Sequence, residues 1–300
     1  MPDSKRFLHP EAIRRISRLE LRARHIVEGF LSGIHRSPYF GQSIEFLQHR
    51  EYSPGDDFRH IDWKVWAKQD RYYVKQFEEE TNLRCLLLVD VSASMQYGSQ
   101  PLNKYEYACT IAASLAYLIL RQQDAVGCMA FDERVRKKLP FRTQRNHLMS
   151  IVQALNVTEP RDKTDMQSLL HEVAEDYPQR GLIVLISDLF SDRDKLMRGL
   201  RLLRQKGHDV LVFHVMDDDE LDFPFDGPTR FEGLETVDQL TCNPRALRQG
   251  YMEALGEFLN EVKRNCTRDG VDYSLVRTSE PLDAVLASFL CNRLGMHHRN

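Results

Sequence analysis

The feature that most constrains this chain is Leu86-Leu87-Leu88-Val89-Asp90, a continuous apolar run that ends in a carboxylate. A strand covered on both faces loses polar alternation, so the run reads as a buried strand of a parallel sheet. Two more runs of this kind follow, Leu182-Ile183-Val184-Leu185-Ile186-Ser187 and Val210-Leu211-Val212-Phe213-His214-Val215. Helical patterns fall between them over Lys104–Arg121, Gln144–Leu155, Met166–Glu175 and Asp194–Lys206, with short strands expected over Val126–Phe131 and Val135–Leu139. Strands alternating with helices imply βαβ units, so the fold class is α/β, a mainly parallel sheet flanked by helices.

The remaining segments fit around that sheet. After the acidic loop Asp217–Glu220, Thr229–Glu232 and Glu235–Asp238 suggest a small hairpin. Pro244–Cys266 is an amphipathic helix with Leu247, Tyr251, Leu255, Phe258, Val262 and Cys266 on one face. Tyr273–Val276 is a further strand and Leu282–Leu294 a final helix. Residues 1–84 are expected as an N-terminal extension packed on a main domain of 85–300. Within the extension, Glu11–Ile34 reads as a helix with Ile13, Ile16, Leu19, Ala23, Ile26, Val27 and Phe30 apolar. Its opposite face carries Arg14, Arg15, Arg18, Arg22 and Arg24, interleaved with Glu11, Glu20 and Glu28. Such arginines can bind lipid headgroups or phosphate, but the interleaved acids favour a solvated face.

A net charge of −3 over 300 residues gives no global pull toward nucleic acid or membrane. No apolar run reaches the ~18 residues of a membrane helix, and the polar start Met1-Pro2-Asp3-Ser4-Lys5-Arg6 lacks a signal peptide's apolar segment. The six cysteines form no CxxC pair and lie mostly in apolar surroundings, as reduced core thiols of a cytoplasmic protein do.

Chemistry concentrates where the first apolar run ends, in Asp90-Val91-Ser92-Ala93-Ser94. Ligands of open α/β sheets bind at that strand edge. One carboxylate with two hydroxyls suits a hard cation such as Mg2+, with Mn2+ and Ca2+ as alternatives. Thr164, in the loop before the Met166 helix, adds a hydroxyl, and Asp188 adds a carboxylate after the second apolar run; Asp165 offers an acceptor behind them. The competing explanation is that Asp90 and the serines only cap the Lys104 helix or its loop.

This series of Asp90, Ser92, Ser94, Thr164 and Asp188 resembles the metal-ion-dependent adhesion site of von Willebrand factor type A domains. One departure is Leu189, where that family commonly has Gly. The resemblance implies a cation completed by an acidic side chain from a partner protein.

A second block, Arg50-Glu51-Tyr52-Ser53-Pro54-Gly55-Asp56-Asp57-Phe58-Arg59-His60-Ile61-Asp62-Trp63-Lys64, precedes the first run. It reads as a turn pinned by ion pairs and aromatics, a plug that helps define the fold; a catalytic acid pair or a second metal site are the alternatives. With Glu45-Phe46, Glu79-Glu80, Phe223–Pro228 and Pro281-Leu282-Asp283, the block closely resembles the domain-of-unknown-function 58 family. That resemblance implies a type A-like domain, frequently encoded beside a MoxR-type AAA+ ATPase, acting as an adaptor or co-chaperone in protein complex maturation. The expected function is therefore a non-enzymatic, metal-dependent protein-interaction module. The enzymatic alternative is a Mg2+-dependent phosphohydrolase or nuclease. Against it, Asp90 lacks a second Asp two residues on, and there is no GxxxxGK[ST], HExxH or GxSxG motif.

Overall fold

The computed structural model describes residues 83–158, 166–234 and 239–286, helical Leu19, Ala23, Ile26 and Val27, and the strands β1 (His49–Glu51) and β2 (Tyr73–Lys75). The chain divides into two compact units, Gly33–Asn82 and Met1–Ser32 with Leu83–Asn300. In the smaller unit β1 and β2 pair antiparallel, with His49 opposite Lys75. Residues 52–72, and with them most of the charged aromatic block, lie outside the described residues.

The larger unit is built on six strands: β3 (Arg84–Asp90), β4 (Ala125–Phe131), β5 (Val135–Arg142), β6 (Leu182–Ser187), β7 (Asp209–Met216) and β10 (Asp272–Arg277). Their spatial order is β10-β7-β6-β3-β4-β5. All neighbours run parallel except β4 and β5. The mainly parallel sheet read from the apolar runs is thus what the chain forms. The antiparallel edge strand follows from the short Asp132-Glu133-Arg134 turn, too short for a crossover. That turn is held by Asp132 N donating to Arg134 O and Arg134 N donating to Asp132 Oδ1. Pro140 and the charged Lys137 and Lys138 suit an edge, where ladder donors are dispensable and a further strand must be refused. A separate hairpin joins β8 (Thr229–Glu232) to β9 (Gln239–Cys242), so its second strand starts after the expected Glu235–Asp238, which lies outside the described residues.

Alternate residues of β3 feed different cores, as the two-residue strand period requires. Cys85, Leu87 and Val89 pack with α1 (Lys104–Arg121), α2 (His147–Val157) and the helical Leu19, Ala23, Ile26 and Val27. Leu86 and Leu88 pack with α3 (Met166–Asp176), α4 (Arg193–Gln205) and α6 (Pro244–Arg268). Fully burying each such aliphatic side chain contributes about 1.5–3 kcal/mol. The acidic segment expected as a loop is instead a short helix, α5 (Asp218–Asp222), started by a capping box between Asp217 and Glu220. Cys85, Cys109, Cys128 and Cys266 are buried.

Close packing of α3 on α4 depends on Gly199. A methyl there would stand 2.6 Å from Leu170 Cδ1 and 2.8 Å from its Cβ. Gly250, in the middle of α6, has nothing within 4 Å of the same position. Gly250→Ala is therefore expected to stabilise by about 0.5–1 kcal/mol through helix propensity. Gly199→Ala is expected to destabilise by about 1–3 kcal/mol through overpacking. Urea unfolding of the two variants checks the opposite signs.

Candidate functional site

The sheet order sets the place of the site. From β3 the chain crosses to α1 on one face, and from β6 to α4 on the other. Strands β3 and β6 lie side by side, Val89 opposite Ile186. Connections that diverge to opposite faces leave a crevice outside the carboxyl ends of two such strands, the switch point at which α/β sheets bind ligands. Asp90 ends β3, Ser187 ends β6 and Asp188 is the next residue.

Asp90 is fully buried. Its Oδ1 accepts from Ser92 N at 2.9 Å and its Oδ2 from Ser187 Oγ at 2.5 Å. A turn of 3-10 helix over Ala93–Gln96 brings the Ser92 and Ser94 hydroxyls within 3.0 Å of each other. Burial, followed by the nearby Asp188 charge, pushes the Asp90 carboxyl up to about 7, against the pull of the Ser187 and Ser92 hydrogen bonds. A carboxylate in this position gains from a positive neighbour.

The capping explanation does not hold for the long helix. Asn103 caps α1: Glu106 N donates to Asn103 Oδ1 at 2.8 Å, and Asn103 N donates to Glu106 Oε2 at 3.3 Å. Ser92 makes no side-chain cap bond to the 3-10 turn that it precedes. Within its own loop Asp90 accepts from Ser92 N, and across the strands from Ser187 Oγ.

Asp188 is also buried, and it faces a cation of the chain itself. Its Oδ1 accepts from Phe190 N at 3.2 Å and its Oδ2 from Lys104 Nζ at 2.8 Å. Lys104 is fully buried at the first position of α1 and also donates to Glu220 Oε1 at 2.6 Å. Its ammonium lies 4.9 Å from the centre of the Phe190 ring. Burial pulls the lysine pKa down, but the Asp188 and Glu220 carboxylates together hold it above its ordinary value. Burial raises the Glu220 carboxyl, and Lys104 opposes that rise. Beyond Asp188, His214 on β7 is buried, bonded through Nδ1 to the Tyr273 hydroxyl at 2.7 Å and depressed to about 4 by burial.

Glu220 belongs to a network that ties α5 to the loop after the serines. Asp217 accepts from Ser99 N and Ser99 Oγ, and from Thr278 Oγ1 beyond β10. The Tyr97 hydroxyl donates to Asp219 Oδ2. Arg277 pairs with Asp218 and Asp222.

Leu189 takes a φ of +57°, the left-handed region in which Gly is unstrained. The Leu side chain is itself buried in the core, which offsets a strain of about 1–2 kcal/mol. Ser187 Oγ fixes the turn by accepting from Leu189 N at 2.9 Å while donating to Asp90.

The structure thus brings Asp90, Ser92, Ser94 and Asp188 to one sheet edge; Thr164 and Asp165 lie outside the described residues. The donors fit a hard cation. All are oxygens, and the 3.0 Å between the two hydroxyls matches adjacent corners of an octahedron, which for metal–oxygen bonds of about 2.0–2.1 Å are about 2.9 Å apart. No group of three or more His, Cys, Asp or Glu gathers as a metal site among the described residues. Sequence reasoning missed Lys104 and Glu220. The available signals were a lysine opening a mostly apolar helix and an acidic segment following an apolar strand at the same edge.

A doubly wound, mainly parallel sheet with carboxylates and hydroxyls at its switch point is an α/β domain of the class whose ligands bind at that sheet edge. The chain belongs to the family described as Protein of unknown function DUF58, which matches residues 48–258. It is similar to the uncharacterized proteins Mb1516 of Mycobacterium bovis and Rv1480 of Mycobacterium tuberculosis, each 27% identical over 290 residues, spanning 95% of this chain and 90% of the relative. Similar solved structures include the conserved hypothetical protein BatB from Bacteroides thetaiotaomicron, with 17% identity and a TM-score of 0.47 over 70% of this chain and 98% of that one. Another is the SpRpn10 VWA domain, with 11% identity and a TM-score of 0.41 over 68% of this chain and 93% of that one. Among the described residues no helix is long and apolar enough to cross a membrane.

The strained turn yields a test. Leu189→Ala is expected to destabilise by about 2–5 kcal/mol through lost burial. Leu189→Gly is expected to be about 1 kcal/mol more stable than Leu189→Ala, the reverse of the usual order, because Gly relieves the positive φ. Chemical denaturation of the pair measures the difference.

Proposed function

We propose that this chain is a non-enzymatic, metal-dependent protein-interaction module. Asp90, Ser92, Ser94, Thr164 and Asp188 hold Mg2+, with Mn2+ and Ca2+ as alternatives, Asp188 reaching the ion through water. The observation that carries this reading is the buried Asp90 beside two neutral hydroxyls 3.0 Å apart at the switch point. One carboxylate with hydroxyls leaves a divalent charge under-neutralised, so the cation retains affinity for an acidic side chain from outside. This chain's residues supply the seat: Ser187 and Ser92 N orient the Asp90 carboxylate, and the 3-10 turn fixes the spacing of the two hydroxyls. The partner we propose is a MoxR-type AAA+ ATPase acting with its client, with this chain as adaptor or co-chaperone in the cytoplasm. Family resemblance supports that partnership.

The test is co-purification with the MoxR-type ATPase encoded in the same genome, in Mg2+ buffer. Asp90→Ala and Ser94→Ala are each expected to lower the captured ATPase at least tenfold, and EDTA to do the same to wild type, with circular dichroism melting showing a folded protein throughout. Equal capture by wild type and both variants sinks the reading. Metal-dependent turnover of phosphoesters that disappears in Asp90→Ala points to the hydrolase alternative instead.

A further inference from the structure

We infer that Lys104 is the resident cation of the sheet-edge site and holds down that site's affinity for a divalent ion. The inference rests on the cation reading above and adds a residue that the sequence pattern does not contain.

Its first support is position. Lys104 is the first residue of α1, where aligned peptide dipoles disfavour a positive charge. Its side chain is nonetheless fully buried, and the Asn103–Glu106 capping box fixes the backbone beneath it. Two carboxylates hold it there, Asp188 at 2.8 Å and Glu220 at 2.6 Å, with the Phe190 ring over the ammonium at 4.9 Å. A buried charge with this many partners is built in; it has not simply folded down from the surface.

Its second support is what Lys104 does to Asp188. One Asp188 oxygen accepts from Lys104 and the other from Phe190 N. An incoming divalent ion therefore meets an Asp188 whose charge is already answered, with an ammonium beside it. Like charges repel strongly where water is excluded. Glu220 gives this competition an outlet: it keeps a partner for the ammonium when Asp188 turns toward the ion. The site can thus exchange one cation for another without leaving Lys104 bare. Through Glu220, the exchange reaches α5 and, by Asp217, the Tyr97–Ser99 loop. Lys104 acts here as a positioning and affinity-setting residue, in contact with the carboxylates and not with the ion.

The experiment is titration of the full chain with Mn2+ alone, read as free Mn2+ by electron paramagnetic resonance. Lys104→Gln is expected to bind Mn2+ at least tenfold more tightly than wild type, and its melting temperature to rise more on Mn2+ addition. Because that variant leaves the buried Asp188 and the partly buried Glu220 without their lysine, a second comparison sets Lys104→Gln/Glu220→Gln against Glu220→Gln alone. The double variant is expected to show the same tightening with one carboxylate fewer. Unchanged or weaker Mn2+ binding in both comparisons overturns the inference and makes Lys104 a support for Asp188. If wild type binds Mn2+, Asp90→Ala abolishes it and the lysine variants bind as wild type does, only this inference falls. Absence of Mn2+ binding in wild type and all variants removes the cation reading as well.

Discussion

The parallel pairing of β3 with β6 is the constraint on which the rest of the larger unit depends. Each strand is apolar through its body, Cys85–Val89 in β3 and Leu182–Ile186 in β6, and buried on both faces, so neither can lie at an edge. Placing them side by side divides the helices: α1 and α2 cover one face, and α3, α4 and α6 the other. The same pairing delivers two carboxylates, Asp90 and Asp188, to one crevice from segments far apart in sequence. Their mutual repulsion in a dry setting is a liability that the fold has to answer, and Ser187, Ser92 N and Lys104 answer it with hydrogen bonds and one positive charge.

The electrostatics around the crevice form a graded series. At the back, His214 stays neutral against Tyr273. In the middle, Lys104 bridges Asp188 and Glu220. Asp90 accepts from Ser92 N and Ser187 Oγ, and burial with the Asp188 charge raises its carboxyl.

Much of this was legible in the sequence because burial on both faces leaves a signature that needs no partner to be read. The strands at Leu86, Leu182 and Val210 were recoverable from composition alone, and so were Asp90 and Asp188 at their ends. The helix Lys104–Arg121 showed its full span because Asn103 and Arg121 flank an apolar body. Legibility failed where a residue's role is set by what folds against it. The antiparallel run of β5 depends on a turn too short for a crossover, although its period resembles any half-exposed strand. Lys104 looked like an ordinary first-turn residue, since its carboxylates come from 84 and 116 residues away. Leu189 departed from the glycine its position favours, and only the backbone angle shows that the core retains the larger side chain.

The Asp217 network has a consequence for how the molecule is made. Ser99, next to the candidate site, is fastened to a residue 118 positions later, and that residue is fastened in turn to Thr278, 61 positions further on. Contacts of such long sequence separation form late, after the loops between them have closed. The β3 end and its serines emerge from the ribosome early, yet the rim around them stays open until β10 has joined the sheet. The rim beside Ser99 is therefore whole only in a chain whose β10 has docked.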